Sequence, residues 1–385
     1  MLLSVHQAPL LQTSCRRATR CSRAALRVRA GAAQTPSRRE LLSGVGGALV
    51  LLSQPVAASP LDGLGKRVLL TGANTGIGRD AAAKLAARGY DVTLACRTLA
   101  KAQAAAAEIT EAAAAAQSPL AGSLRGVECD LASLASVRAC AGQAGSAPLH
   151  LLLLNAGVQF SGDDTVRRTQ DGFELTVGTN HLGHYLLANL LLPQLDKAGP
   201  GARIVVTASE VHDPSSPGGS VGPGASLGSL AGLRSASFLM VDGSAAFNAD
   251  KAYKDSKLCN VLFTREMARR LRERGSPVTC NTFGPGLITR TDFFRNQNPL
   301  FVGVFDFFTN EVFHVAESVS GGGDCLVSMA TKAELEGRSG LYYNNDLAPG
   351  GKHLFHEDEV SDEARREEEG RTLWDLSAKL VGLPA

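Results

Sequence analysis

Residues 1–39 contain no aspartate or glutamate, yet they hold eight arginines among Ser, Thr and Ala. This composition reads as an address rather than a fold and suits an organelle transit peptide. Ser37-Arg38-Arg39-Glu40-Leu41-Leu42, an apolar run over 45–52 and Val56-Ala57-Ala58 follow. They read as a twin-arginine signal ending in a small-residue cleavage site. Residues 1–58 are therefore expected to be a chloroplast transit peptide plus a thylakoid-lumen signal. One long transit peptide with an accidental arginine pair is the plainer alternative. The run over 45–52 is far shorter than the roughly 20 residues that span a bilayer.

A strong net charge is also missing. Eight of the 39 basic residues and one of the 37 acidic ones lie in 1–58, leaving 31 against 36, a net charge of about −5. A mildly acidic body offers no electrostatic case for nucleic acid. The six cysteines beyond the presequence, Cys96, Cys129, Cys140, Cys259, Cys280 and Cys325, show no CxxC spacing. A zinc site is not expected, and buried free thiols are. His181 and His184 lie three apart on a predicted helix without a third ligand, so packing roles are expected and no metal. Internal repeats are absent.

What is present is an alternation of strand and helix from Lys66 onward. Strands are predicted at 67–71, 91–96, 124–129, 149–154, 203–208, 277–283 and near 341–343. Helices are predicted at 76–88, 99–117, 132–143, 174–195, 251–273, 312–331 and 361–381. Repeated β-α units imply a Rossmann-type, doubly wound parallel α/β sheet, a single domain over 61–385. Residues 212–250, rich in Gly, Ser and Pro, break the rhythm. A loop this long inside a compact domain is usually functional or disordered, with an inert surface insertion as the plainer alternative. It enters just before the 251–273 helix, where a substrate lid can arise.

Thr71-Gly72-Ala73-Asn74-Thr75-Gly76-Ile77-Gly78 follows a strand and opens a helix. Glycines there let the backbone turn and approach a pyrophosphate, and the helix N-terminus supplies free N–H groups. Gly72, Asn74, Thr75, Gly76, Ile77 and Gly78 are thus candidate cofactor contacts. Asp130 and Leu131, after the third strand, are expected at the adenine, with Asp130 also an N-cap. No acidic residue stands at positions 95–97 to hold ribose hydroxyls. Arg97 instead favours a 2′-phosphate, hence NADPH, with a solvated arginine as the alternative.

Tyr253 and Lys257 lie one helical turn apart. A lysine ammonium is expected to lower the phenol's pKa and ready it for proton transfer. Ser209, closing the fifth strand, can bond the same substrate oxygen or the phenol. Asn180 sits in a helix interior, where Asn is a poor former. A water or backbone bond that holds the lysine explains it.

Taken in order, TGxxxGxG at 71–78, Asn155-Ala156-Gly157, Asn180, Ser209, Tyr253-x-x-x-Lys257 and Pro285-Gly286 resemble the short-chain dehydrogenase/reductase family over 66–345. The resemblance implies Tyr253 as proton donor, Lys257 on the nicotinamide ribose, and Ser209 and Asn180 as the rest of a catalytic tetrad. It adds Asn155, Ala156, Gly157, Pro285, Gly286 and Ile288 to the cofactor contacts. The stretches 179–184, 251–260 and 376–383, with the 212–250 insertion and residues 293–301, are similar to the light-dependent protochlorophyllide oxidoreductase branch. That branch carries a cysteine where this chain has Leu287, and a serine-rich glycine loop where this chain has Asn74-Thr75.

The resemblance implies an NADPH-dependent reductase of a large lipophilic substrate, a tetrapyrrole or similar, in the chloroplast. Phe293, Phe294, Phe301, Phe305, Phe307 and Phe308 make one region unusually aromatic for this chain, which is expected to be a pigment pocket or an amphipathic surface that docks on a thylakoid membrane. A retinol-dehydrogenase-like reductase of a lipophilic carbonyl is the alternative within the class. An NADP(H)-binding redox sensor is the alternative outside it, and a binding module has no need of Tyr253.

Overall fold

The computed structural model describes residues 61–160, 162–289, 316–348 and 352–384. The presequence reading and the phenylalanines of 293–308 lie outside these residues. Leu151–Leu154 is a strand buried on both faces, as an all-apolar strand requires when helices cover both sides. It is β4 of an eight-stranded sheet in the order β3-β2-β1-β4-β5-β6-β7-β8. The other strands are β1 (Arg67–Thr71), β2 (Asp91–Cys96), β3 (Ser123–Glu128), β5 (Arg203–Thr207), β6 (Thr279–Gly284), β7 (Tyr342–Ala348) and β8 (Lys352–Asp358). The first seven run parallel. β8 returns antiparallel along β7 from Tyr342↔Asp358 to Ala348↔Lys352.

β8 corrects the expectation of a sheet ending near 343. Its sequence, KHLFHED, buries only Phe355 and shows no apolar period. Its partner supplies the pairing that its own pattern does not announce.

Among the described residues the α-helices are α1 (Gly76–Ala87), α2 (Leu99–Ala115), α3 (Leu134–Gln143), α4 (Leu175–Val177), α5 (Gly183–Ala198), α6 (Ala249–Glu273), α7 (Val319–Thr331) and α8 (Glu367–Val381). Three start later than the sequence predicts. α3 is capped by Ser133, whose hydroxyl accepts from the Ser136 N–H. α7 is capped by Ser318 in the same way, from Gly321. A short 3₁₀ turn, Glu363–Arg365, precedes α8. The predicted helix over 174–195 is α4 and α5 joined by a π-helical turn, Gly178–Leu182.

Alternate residues of each central strand face opposite cores. Leu70, Leu151, Leu153 and Val205 pack with α1 and α7. Leu152, Leu154, Ile204 and Val206 pack with α5, α6 and α8. Close approach of α7 to α1 rests on glycine. A Cβ at Gly322 would stand 2.4 Å from Ile288 Cδ1 and 3.0 Å from Ile77 Cγ1.

The 212–250 insertion has almost no regular structure, as expected, but it is not an outer appendage. Ala225, Leu227, Leu230, Leu233, Phe238 and Val241 belong to the core beside α6 and α8.

Candidate active site

The glycine run crosses from β1 into α1 at the carboxyl end of the sheet. There β1 lies between β2 and β4, the switch point where doubly wound sheets bind ligands. Gly72 and Gly76 have φ of +66° and +56°, a region that side chains with a Cβ rarely adopt. A Cβ at Gly72 would stand 2.8 Å from Ala156 Cα, and one at Gly78 would stand 2.3 Å from the Gly72 carbonyl. The loop is thus pressed against Asn155-Ala156-Gly157. Thr75 occupies the N-cap position of α1 in extended conformation without a side-chain capping bond, and the first turn carries no acid. The leading N–H groups keep their positive potential for a phosphate-bearing ligand. The Cys96 thiol accepts from the Ala73 and Asn74 N–H groups, and burial pushes its pKa up to about 11.

Thr71, absent from the expected contacts, is the hub that sequence reasoning missed. Its hydroxyl accepts from the Asn155 N–H (2.9 Å) and the Ala156 N–H (3.1 Å). The same hydroxyl meets His184 Nε2 at 2.9 Å. The Asn155 amide donates to the Thr71 carbonyl at 3.2 Å. A hydroxyl at the end of an apolar strand was the available signal.

Arg97 is exposed directly after β2. Asp130 differs from expectation. Its carboxylate accepts from the Ala132 N–H at 3.1 Å, an Asx turn two residues on. Ser133 is the cap of α3 instead. Leu131 is buried under α5, where a Cβ on Gly183 would meet its carbonyl at 2.5 Å. Gly286 has φ of +83°, and the preceding Pro285 carbonyl accepts from the Asn345 amide at 3.1 Å. Ile288 is buried. Leu287 is half-buried, its carbonyl accepting from the Glu317 N–H at 2.7 Å.

Tyr253 and Lys257 project from α6. Lys257 is 3% exposed, with Nζ 5.5 Å from the centre of the Tyr253 ring. It donates to the Thr207 carbonyl at 3.2 Å. Asn260, one turn further, donates to the same carbonyl at 3.3 Å. The Tyr253 phenol hydrogen-bonds Ser209, which lowers its pKa, but burial outweighs this and raises it overall. Burial also pulls the lysine down to about 8. This corrects the expected lowering of the phenol by lysine. Desolvation of two neighbouring polar groups exceeds their mutual effect.

Asn180 lies in the π-helical turn, a distortion frequent at functional sites. Its amide oxygen accepts from the Val158 N–H at 2.8 Å, and its nitrogen donates to the Val158 carbonyl and to Ser256 Oγ, each at 3.0 Å. Asn180 pins the chain after Asn155-Ala156-Gly157, while Thr207 takes the lysine.

His184 donates from Nδ1 to the Asn180 carbonyl at 3.1 Å, leaving Nε2 to accept from Thr71. Burial holds its pKa at about 4, so it is neutral. His181 meets Ser377 at 2.9 Å and is likewise pushed down, to about 3. Among the described residues no group of His, Cys, Asp and Glu could hold a metal ion, and all six cysteines there are free and buried.

A parallel sheet with a glycine cradle at its switch point, with buried Lys257 beside half-buried Tyr253 and Ser209, defines an oxidoreductase that uses a nicotinamide cofactor. Residues 66–226 match the family model for short chain dehydrogenases. Protochlorophyllide reductase A, chloroplastic, of Triticum aestivum is 38% identical over 327 residues, 82% of this chain and 80% of that protein. The protochlorophyllide reductases of Daucus carota and Chlamydomonas reinhardtii are 37% and 36% identical, with 84% and 81% of their lengths covered. A crystal structure of an uncharacterized Mycobacterium paratuberculosis protein superposes with a TM-score of 0.60 at 28% identity, covering 84% of this chain and 96% of that one. The NADP complex of Pseudomonas aeruginosa RhlG, 20% identical with a TM-score of 0.54, shares the fold over 76% of this chain and 99% of that one. The chain belongs to the short-chain dehydrogenase/reductase family.

Proposed function

We propose that the protein is an NADPH-dependent reductase of protochlorophyllide or a closely related lipophilic tetrapyrrole in the chloroplast. The observation that carries this reading is the Tyr253–Ser209 hydrogen bond beside buried Lys257, in a chain 38% identical to a protochlorophyllide reductase.

NADPH, when bound, supplies the hydride. The cradle of Gly72, Gly76 and Gly78 and the open α1 N-terminus fit its pyrophosphate, and exposed Arg97 fits a 2′-phosphate. Asn155, Ala156, Gly157, Pro285, Gly286 and Ile288 are the further cofactor contacts of this reading. Tyr253 gives its phenol proton to the substrate atom that develops negative charge. Ser209 orients that proton, and Lys257 offers a cation where phenolate forms. Asn180 keeps the cradle wall in register through Val158. The 212–250 insertion, entering between Ser209 and Tyr253, encloses the substrate side. Residues 1–58 direct the chain to the chloroplast, where the named relatives reside.

The test is reduction of protochlorophyllide by the purified chain with NADPH, in darkness and under illumination, beside a panel of lipophilic aldehydes. Light- or dark-dependent chlorophyllide formation is expected. Turnover of the aldehydes alone would replace the tetrapyrrole reading with the lipophilic-carbonyl one.

A further inference from the structure

Lys254 follows the tyrosine directly, yet it is only 6% exposed. Its ammonium donates to the Gly219 carbonyl at 2.9 Å and to the Val221 carbonyl. Both acceptors belong to the insertion. The insertion leads back to Ser209 through a tight knot. The Gly219 N–H donates to Ser216 Oγ at 2.9 Å, and that hydroxyl donates to the Glu210 carbonyl at 2.9 Å. Glu210 adjoins Ser209, whose carbonyl accepts from His212 Nδ1 at 2.8 Å. The knot leaves no room for side chains. A Cβ at Gly219 would stand 1.8 Å from the Asp213 carbonyl, and one at Gly218 would stand 2.6 Å from Glu210 Oε1. A single ammonium therefore ties the base of the serine-bearing loop to the helix that carries the phenol.

A buried ammonium is costly unless its donors are met, and a lysine here gains nothing from solvent. We propose that Lys254 is a positioning residue of the reaction: it holds the 209–221 knot on α6 so that the Ser209 hydroxyl stays on the Tyr253 phenol. This rests on the function proposed above for Tyr253 and Ser209. Lys251 and Asp255 secure the next part of the insertion, through Ser226, and leave the knot itself to Lys254.

The experiment compares Lys254→Met, which keeps the stem, with Lys254→Arg, which restores donors and charge. Lys254→Gln replaces the methionine variant if circular dichroism shows the latter unfolded. Hydrogen–deuterium exchange on the full chain reads the clamp without substrate. Amides across 210–221 should exchange at least about tenfold faster in Lys254→Met and recover in Lys254→Arg. Turnover of protochlorophyllide with NADPH should fall by about 10- to 100-fold with the NADPH dissociation constant unchanged, since misplacement near the chemistry costs that much. In a Ser209→Ala background the same substitution should cost less than about twofold, because the group it positions is gone. Full cost in that background, or unchanged exchange in 210–221, overturns the proposal. A wild-type chain that reduces no tetrapyrrole overturns the substrate reading alone, and the exchange measurement still decides the clamp.

Discussion

Tyr253 combines a hydroxyl bonded to Ser209 with a ring beneath the Lys257 ammonium. Tyr253→Phe deletes the phenol oxygen and leaves Gly72, Gly76 and Gly78 untouched. We expect NADPH to bind as in the wild type, by fluorescence titration, with turnover down by about 10²–10⁴-fold, the usual contribution of a general acid. Residual turnover above about one per cent would remove Tyr253 from that role. At Arg97, exposed beyond β2, replacement by Asp exchanges attraction to a 2′-phosphate for repulsion and offers ribose hydroxyls an acceptor. The ratio of NADPH to NADH dissociation constants should invert, and equal constants in the wild type would contradict the assignment. Half-buried Leu287 adds apolar contact of about 1–2 kcal/mol but no polar group. Leu287→Cys should leave pigment affinity within a few-fold and increase the single-flash yield of photoreduction. Full photoreduction by the unmodified chain would show the thiol to be dispensable. The placement of Tyr253 and Lys257 on one helix and of the glycines at the β1–α1 turn was legible in the sequence, because their order along the chain and their spacing announce it together. The hub role of Thr71 was not, since a threonine ending a strand has many uses until its neighbours are known.

Among the elements, α6 does most of the positioning. One face presents Tyr253 and Lys257, another holds the insertion through Lys251, Lys254 and Asp255, and a third packs on α8. Trp374, the only tryptophan in the chain, stacks on Phe263 at 5.9 Å and meets Tyr185 edge-on at 4.9 Å. The Arg270 guanidinium lies over the same ring at 4.5 Å. Trp374→Ala should destabilise the fold by about 3–5 kcal/mol, read from urea unfolding, because a large cavity opens where α5, α6 and α8 meet. A loss below about 1 kcal/mol would show that α8 does not need this seam. The helices and parallel strands were readable from apolar periodicity. β8 was not, because an edge strand with one buried residue has no period to read. The π-helical turn was flagged only indirectly, by an asparagine in a helix interior.

For the molecule as a whole, burial of Lys257 has a measurable consequence. An unfolded lysine keeps its proton to about 10.4, whereas folded Lys257 releases it near about 8. Between those values the unfolded chain binds more protons, so this residue makes stability rise with pH from about 8 to about 10.4. The rise should total about 3 kcal/mol. It should be missing from Lys257→Met, so the difference between the two urea-denaturation profiles isolates it. A flat difference would mean that the ammonium is solvated.

The sequence by itself determined the doubly wound class, the order of the site residues along the chain and the glycine cradle. Each depends on local pattern: period, helix spacing, or the need for positive φ. Only the tertiary structure decided that 225–241 belongs to the core, that Asn180 grips Val158, and that burial raises the Tyr253 phenol. Those outcomes depend on which distant segments exclude water from a group, and solvent exclusion is a property of the packed molecule that no local pattern encodes.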